Sequence, residues 1–361
     1  MKSINLAEHE FIDLINLGLG LYKPLKGFNT KKEFENILLY QKFDKIKNWT
    51  VPILLNTKKK NLDIIDKECF LIYKKKKIGT IKVESLFKIN KKKYCQKIFN
   101  TNSHYHPTVR KIYKSFNMYI GGEIKIFKNY FKKDKNFAHN IFKLNKSVFS
   151  NSTVFTTRNI CHLGHQLIHE KIIKSKKKLL ICIIQSEKNK FNPDFVVKSY
   201  EQLRLQEKIY KNVQIAKIYL PSLMAGPNEA YLQASYLNNL NCKSFIIGRD
   251  HAGYKKSFKK YEAQKIFDKF KDLKIKIIKT KEPLLCNICK TVFFSNIGKC
   301  KCKISVKRSI LSIDGVTVKK YLLSNNIGKV SKFLNAVVAK FCLKNIKQIK
   351  KFNDLTILKI D

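Results

Sequence analysis

The chain has 361 residues, and 44% of them are hydrophobic. This length is enough for two or three domains with hydrophobic cores, and this hydrophobic content excludes a disordered chain. No apolar run reaches about 18 residues, so we predict no membrane span and no membrane partner. The N-terminus also lacks the apolar segment of a secretory signal, so we expect a cytoplasmic protein.

The formal net charge of +48 suggests nucleic acid as a partner, but the residues behind it argue otherwise. Only five of the 74 basic residues are arginine, the residue that reads base edges by paired hydrogen bonds. Lysine is spread along the whole chain beside many Ile, Asn and Phe residues, and all four have AT-rich codons. We therefore interpret the charge as a sign of AT-biased coding and predict no specific nucleic-acid partner. A polyanion-binding protein is an alternative.

Residues 1 to about 125 read mostly as short strands and turns, which predicts a β-rich domain over 1–147. Glycine and proline punctuate 18–28 as a loop. Lysines 74–77 predict a hairpin turn. His104 and His106 could be ligands, but we expect structural or loop roles for both. The predicted strands are 49–55, 69–73, 105–109 and 119–124.

From residue 148 the pattern changes to short apolar strands that alternate with amphipathic helices, which predicts a parallel, doubly wound sheet over 148–280. In such a sheet the ligand lies at the carboxyl ends of the strands. A smaller subdomain follows over 281–361. The predicted strands are 152–157, 179–184, 214–220, 244–248 and 275–278. The predicted helices are 162–174, 194–210, 227–240 and 259–271.

Polar side chains follow the first of these strands directly. A strand that runs into a helix near His162 points free N–H groups at whatever lies above the sheet, which is a ready anion site. Arg158 adds a permanently charged, forked donor. His162 and His165 are three residues apart, so both lie on one face of the first helical turn. These groups together favour a phosphate ligand over a core role.

A second polar group, Gly248 to Gly253, follows the strand at 244–248. Glycine at 248 lets the backbone approach a ligand, and Gly253 permits an unusual φ. Three functional side chains, Arg249, Asp250 and His251, lie between the two glycines. The alternative is a polar turn that holds an internal Arg249–Asp250 pair.

Four of the ten cysteines cluster as a C-x₂-C pair and a C-x-C pair. Thiolates at this spacing can wrap a tetrahedral Zn²⁺. Three interpretations are open: a structural zinc site, an unmetallated relic of one, and a redox pair. In each we expect a role in stability and none in catalysis. The four residues are Cys286, Cys289, Cys300 and Cys302.

Three motifs together resemble ATP sulfurylases of the single-polypeptide bacterial and eukaryotic type. They are T-T-R-N-I-C-H-L-G-H at 156–165, A-G-P-N-E-A at 225–230 and G-R-D-H-A-G at 248–253, and the resemblance covers about residues 10 to 320. It implies an α/β fold with a PUA-like β-rich N-terminal domain, a Rossmann-like HxxH nucleotidyltransferase domain and a small C-terminal subdomain.

The resemblance implies that the chain joins ATP and sulfate to adenosine 5'-phosphosulfate and pyrophosphate, reversibly, in sulfate assimilation or sulfur oxidation. It also implies Mg²⁺ with ATP and a homo-oligomer. The implied catalytic residues are Thr157, Arg158, Asn159, His162 and His165. The implied ATP-binding residues are Thr156, Gly248, Arg249, Asp250 and His251. The implied sulfate-binding residues are Arg158 and Ala252.

The sequence departs from the family pattern at several positions around these motifs. Thr156 occupies the position of the family's Gln, and Ile160 that of its Pro. Leu223 and Asn228 occupy the positions of two arginines of the family. The segments 181–188 and 304–308 have lost most of their family motifs. A catalytically impaired relic is therefore an alternative.

A class I aminoacyl-tRNA synthetase is a further alternative, because H-L-G-H at 162–165 is similar to that family's H-I-G-H. The segment 303–309 faintly resembles its K-M-S-K-S motif. The G-R-D-H-A-G motif has no place in that family.

Overall fold

The structure is a computed structural model that describes residues 2–58, 64–129, 146–185, 191–255, 257–295, 300, 309–324 and 326–350. The chain forms two compact units. The first contains Met1–Ser150 and Tyr219–Ile277, and the second contains Asn151–Ile218 and Ile278–Asp361. None of the helices in the described part of the chain has the length and apolar character needed to cross a bilayer.

Helices and strands alternate along both units. The helices are α1 Glu8–Gly18, α2 Lys31–Tyr40, α3 Lys91–Phe99, α4 Pro107–Lys114, α5 Lys146–Phe149, α6 Leu163–Lys174, α7 Pro193–Gln206, α8 Pro227–Asn239, α9 Glu262–Lys269, α10 Gly315–Leu323, α11 Ile327–Phe333 and α12 Ala336–Lys344. The strands are β1 Ser3–Asn5, β2 Gly27–Phe28, β3 Leu55–Thr57, β4 Glu68–Tyr73, β5 Lys76–Phe87, β6 Met118–Ile126, β7 Thr153–Thr157, β8 Leu179–Gln185, β9 Gln214–Tyr219, β10 Ser244–Ile247, β11 Lys276–Lys279, β12 Pro283–Cys286, β13 Val292–Phe294 and β14 Ile310–Ser312.

A six-stranded sheet forms the centre of the first unit, in the order β1-β4-β5-β6-β2, with β3 also paired to β6. The predicted hairpin is confirmed: β4 and β5 pair antiparallel, and Lys74 and Lys75 make the turn with positive φ. The strand predicted at 49–55 is wrong, because only Leu55 of that segment lies in β3. Helices α1 to α4 also lie in this part of the chain, where we had expected mostly strands.

Helix α4 replaces the strand predicted at 105–109. Pro107 occupies its first turn, where a missing N–H costs nothing, and His106 caps it by accepting the N–H of Val109 at Nδ1 (3.3 Å). The Nε2 atom of His106 bonds the carbonyl of Met224 at 3.2 Å. His106 is fully buried, so its predicted structural role is confirmed.

In the second unit, strands β7, β8 and β9 lie side by side in that order. Strands β7 and β8 are parallel, in register from Thr153 with Leu179 to Thr157 with Ile183, and α6 connects them. Nearly every side chain of both strands is buried, as expected for a parallel sheet covered on both faces. The predicted strand and helix positions from 152 to 220 are confirmed to within a few residues.

The C-terminal part of the second unit holds a small antiparallel sheet in the order β13-β12-β14, followed by three helices. Helix α12 packs on α7, with the ring of Phe341 5.0 Å from that of Phe195. The Asn335 side chain caps α12 and donates to Glu207 at 2.9 Å. These contacts fix α12 against α7.

Candidate functional site

The T-R-N segment makes a tight turn at the carboxyl end of β7. The backbone N–H of Asn159 donates to Oγ1 of Thr157 at 3.0 Å, and the Thr157 side chain is buried. Thr156 is buried as well, whereas Arg158 and Asn159 are half-buried. The buried Thr157 side chain therefore stabilises the turn, and Arg158 and Asn159 are its partly accessible side chains.

Arg158 carries the single permanent positive charge between Thr153 and Glu170. Its guanidinium forms no hydrogen bond or ion pair with any residue that the structure describes. A half-buried guanidinium keeps the capacity for two parallel hydrogen bonds to one anion. This arrangement suits a small oxyanion.

Helix α6 begins at Leu163, one residue after its predicted start, and His162 is its N-cap. The Nδ1 atom of His162 accepts the backbone N–H of His165 at 3.2 Å. Because Nδ1 accepts, the neutral His162 ring carries its proton on Nε2 and presents that N–H as a donor.

Three histidines line one face of α6, and their rings are in contact. The ring centroids of His162 and His165 are 3.7 Å apart, and those of His165 and His169 are 6.1 Å apart. Two buried tyrosines anchor this row: Tyr200 bonds Nδ1 of His165 at 3.3 Å, and Tyr210 bonds Nδ1 of His169 at 3.0 Å. The row is thus supported from inside the unit.

All three histidines are neutral at pH 7. Burial lowers the pKa of His162 to about 4, although the nearby Asp314 carboxylate opposes this shift. Burial, with the neighbouring imidazoles, lowers the pKa of His165 well below its usual value. Burial likewise lowers the pKa of His169 to about 3. The imidazoles therefore offer N–H donors without charge, and the permanent positive charge of the segment 153–170 resides on Arg158.

The start of α10 lies beside Asn159 and His162, and this proximity was missed in the sequence. Asp314 caps α10 by accepting the N–H groups of Val316 and Thr317 at 2.8 and 2.9 Å. A Cβ on Gly315 would lie 2.5 Å from the side chain of Asn159, so a larger residue there would force that side chain to shift. The Asp-Gly pair before an apolar helical run was a readable helix start, but nothing local linked it to Asn159.

The G-R-D-H-A-G segment lies in the first unit, at the carboxyl end of β10. The internal pair that the sequence left open is present: Arg249 and Asp250 form an ion pair at 2.6 Å, and both side chains are partly exposed. A Cβ on Gly248 would meet no atom within 4 Å. Protein packing therefore does not require a glycine at position 248. The open space there agrees with our expectation that a ligand approaches this backbone.

Positive φ in this segment is found at Ala252, with φ 54°, and not at Gly253, the residue that would permit it at no steric cost. The Ala252 carbonyl accepts the N–H of Gly226 at 2.9 Å. Gly226 itself has φ 52°, and a Cβ there would lie 2.5 Å from the ring of Phe258. A backbone hydrogen bond therefore joins the A-G-P-N-E-A and G-R-D-H-A-G motifs. The strained backbone conformation lies at Ala252, the residue proposed to bind sulfate.

Two departures from the family pattern have structural explanations. The side chain of Asn228 donates to the carbonyl of Ile98 at 2.9 Å and accepts from Gln41 at 2.9 Å. Leu223 packs against the buried cluster around Phe99 and Val109. Both residues stabilise the first unit. The eroded segments 186–188 and 304–308 lie outside the described residues.

Three of the four clustered cysteines come together. Their sulfur atoms all lie within 4.8 Å of one another, and Cys302 lies outside the described residues. Backbone N–H groups of Cys289 and Ile288 lower the pKa of the Cys286 thiol, which favours the thiolate that a metal needs. The converging sulfurs fit a zinc site with one further ligand. The three cysteines are Cys286, Cys289 and Cys300.

Two family models match the chain: a PUA-like domain over residues 1–129 and ATP-sulfurylase over residues 135–340. The chain belongs to the ATP-sulfurylase family. Both the expected family and the PUA-like N-terminal domain are thereby confirmed. The match favours the sulfurylase interpretation over the class I synthetase.

Curated relatives span most of the chain. The sulfate adenylyltransferase of Pyrococcus abyssi is 31% identical over 288 residues, which covers 77% of this chain and 75% of the relative. That of Thermococcus onnurineus is 30% identical, covering 80% and 77%. That of Staphylothermus marinus is 25% identical, covering 91% and 90%.

The fold is similar to that of a solved structure, the hexameric APS kinase from Thiobacillus denitrificans. The TM-score is 0.65 at 13% identity, and the match covers 94% of this chain. This chain spans 62% of that one. The likeness supports the α/β architecture.

Proposed function

We propose that the chain is a sulfate adenylyltransferase, which joins ATP and sulfate to adenosine 5'-phosphosulfate and pyrophosphate and also runs in reverse. One observation carries the proposal: the half-buried Arg158 guanidinium forms no hydrogen bond or ion pair with the described residues and lies in an intact T-R-N motif. The neutral N–H donors of α6 follow within a few residues along the chain.

The chemistry needs positioning and charge stabilisation more than acid–base groups. Sulfate is already ionised, so its oxygen attacks the α-phosphorus without a general base, and the bond to pyrophosphate breaks as the new P–O bond forms. Arg158 would hold sulfate and offset the charge that develops on the phosphoryl oxygens. His162 and His165 would donate N–H groups to phosphate oxygens. Thr157 and Asn159 would fix the turn that aims Arg158.

The remaining roles follow the motifs of the first unit. Gly248 to His251 would contact ATP, as would Thr156 in the second unit, and the backbone N–H of Ala252 would bind sulfate. The open space beside Gly248 supports a ligand close to that backbone. Mg²⁺ bound to ATP would offset charge on the pyrophosphate leaving group. We also predict a homo-oligomer in the cytoplasm.

We further propose that the cysteine cluster holds a structural Zn²⁺, with Cys302 as the fourth ligand. Three thiols that already converge, one with a lowered pKa, support this proposal. Zinc would tie the β12–β13 hairpin to the segment around Cys300. Its effect would be on stability, because the cluster supplies no group to the reaction.

The test is formation of ATP from adenosine 5'-phosphosulfate and pyrophosphate with Mg²⁺, read by luciferase. Activity that depends on Arg158 supports the proposal. A folded but inactive protein would instead favour the impaired relic, in which the losses at Leu223, Asn228 and 304–308 have disabled the site.

A further inference from the structure

A chain of three side chains runs inward from the G-R-D-H-A-G loop. The Nε2 atom of His251 lies 2.9 Å from Oε1 of Gln233, and Nε2 of Gln233 donates to Oε1 of Glu229 at 3.0 Å. The other oxygen of Glu229 accepts the N–H groups of Leu223 (3.1 Å) and Ala225 (3.3 Å). Glu229 and Gln233 are four residues apart in α8, so both side chains lie on one face.

The direction of each hydrogen bond among His251, Gln233 and Glu229 follows from Glu229, the most deeply buried of the three. Glu229 is 1% exposed and meets three N–H donors, which an ionised carboxylate can only accept. The amide of Gln233, itself 2% exposed, must therefore turn its NH₂ toward Glu229 and its oxygen toward His251. An oxygen facing the ring requires a proton on Nε2 of His251. The ring is further fixed by Phe245, which packs edge-on at 5.4 Å.

We propose that Gln233 and Glu229 are positioning residues for adenylyl transfer. They hold His251 with its Nε2–H directed into the protein, so that Nδ1 is the nitrogen that serves the ATP phosphates. Phosphate oxygens only accept hydrogen bonds, so Nδ1 serves them when the ring is protonated: it then donates from Nδ1 while Nε2–H stays on Gln233. This inference rests on the proposed contact of His251 with ATP. It assigns Glu229 of the A-G-P-N-E-A motif a role in orienting His251 of the G-R-D-H-A-G motif.

The decisive variant is Glu229→Gln, which removes the charge without changing the shape. The new amide would keep its oxygen on the two backbone N–H groups and point its NH₂ at Gln233. Gln233 would then have to turn its amide and present NH₂ to His251. The proton of His251 would move from Nε2 to Nδ1, and an Nε2 that accepts from Gln233 could no longer be protonated, so the ring could not carry the positive charge that the proposal places beside the ATP phosphates.

Nitrogen-15 NMR of histidine-labelled full-length protein reports the tautomer, with the His251 signal assigned by its loss in His251→Gln. We expect Nε2–H in the natural protein and Nδ1–H in Glu229→Gln. In the ATP-forming assay, kcat should fall about 10- to 100-fold, the usual effect of losing a group that orients a ligand-contacting histidine. The melting temperature should change little by comparison.

A double variant separates positioning from mere packing. In Glu229→Gln with Gln233→Glu, the carboxylate sits next to His251 and again accepts from Nε2–H, while the new amide at position 229 donates to that carboxylate. Both the Nε2–H tautomer and most of kcat should return. Glu35→Gln, which removes an exposed carboxylate of α2, is the matched control and should leave both measurements unchanged.

Three results would overturn the inference. The first is an Nδ1–H tautomer in the natural protein, and the second is an Nε2–H tautomer that survives in Glu229→Gln. The third is a tautomer that switches as expected while kcat stays constant, which would confine Gln233 and Glu229 to a structural role. Because the NMR measurement needs no turnover, it decides the hydrogen-bond direction even if the proposed activity fails.

Discussion

His162 and His165 form a self-capping pair: their rings stack at 3.7 Å, and Nδ1 of His162 accepts the backbone N–H of His165. The pair fixes the first turn of α6 and the tautomer of His162 in one contact. It also places two imidazoles in a buried site where neither is protonated at neutral pH. The fold thus offers aligned, uncharged N–H donors at the start of a helix.

This burial predicts that the protein is labile to acid. An unfolded histidine takes up a proton near its ordinary pKa of about 6.5, whereas folded His162 and His169 resist protonation until about pH 4 and 3. Below about pH 6.5 the unfolded state binds more protons, so the free energy of unfolding falls with pH down to about 4. Each histidine contributes up to about 1.4 kcal/mol per pH unit in that window.

Urea unfolding at pH 7.5, 6.5, 5.5 and 4.5 checks this prediction. His169→Gln should flatten the pH dependence by about one proton, because one titrating group is lost. Stability that stays constant from pH 6.5 to 4.5 would contradict it.

The close approach of α10 to the T-R-N turn predicts that Gly315 is needed for activity. In Gly315→Ala the added Cβ would lie 2.5 Å from the Asn159 side chain and force it to move. We expect a loss of stability of about 1–3 kcal/mol and a fall in kcat of about 10-fold or more.

Gly328→Ala is the matched control, since a Cβ there meets nothing within 4 Å and lies inside helix α11. It should leave kcat unchanged and stabilise the helix slightly. Equal activity in the two variants would show that Asn159 tolerates displacement.

The cysteine cluster predicts about one zinc per chain in protein purified without chelator. Cys286→Ser should lose the metal and lower the melting temperature by several degrees, while kcat at low temperature stays close to that of the natural protein. Elemental analysis and a thermal melt measure the two effects.

Cys242→Ala is the control for the metal measurement. Burial raises the pKa of Cys242 to about 12, which disfavours the thiolate that a metal binds, and Cys242 is not among the three converging cysteines. The variant should keep its zinc. A natural protein without metal, or a Cys286→Ser variant that keeps it, would contradict the zinc site.

The second unit was readable from the sequence because its signals are local. An apolar β-branched run ends at Thr157 and polar residues follow at once, so the end of β7 and the start of α6 were predicted to within about a residue. The N-terminal part was harder to read. Pro107 there marks a helix start, where we took it as part of a strand, and lysine-rich surfaces hid the periodicity of α2 and α3.

The candidate site shows the same division between local and long-range signals. Motif residues such as Arg158 and His251 stand in short, readable runs of the sequence and were found. Their supports were not, because Tyr200, Asp314 and Gln233 reach the site from elements that no local pattern connects with it. The strained backbone at Ala252 was missed for another reason: glycine is the residue that usually adopts positive φ, and Gly253 lies directly beside it.

The most direct test of the central claim is the rate of ATP formation from adenosine 5'-phosphosulfate and pyrophosphate in Arg158→Ala. Arg204→Ala is the matched control, because that arginine is exposed on α7. The proposal predicts activity in the natural protein and in the control, and a loss of about 10²- to 10³-fold in Arg158→Ala. A folded natural protein without activity, or an Arg158→Ala variant as fast as the control, would contradict the claim.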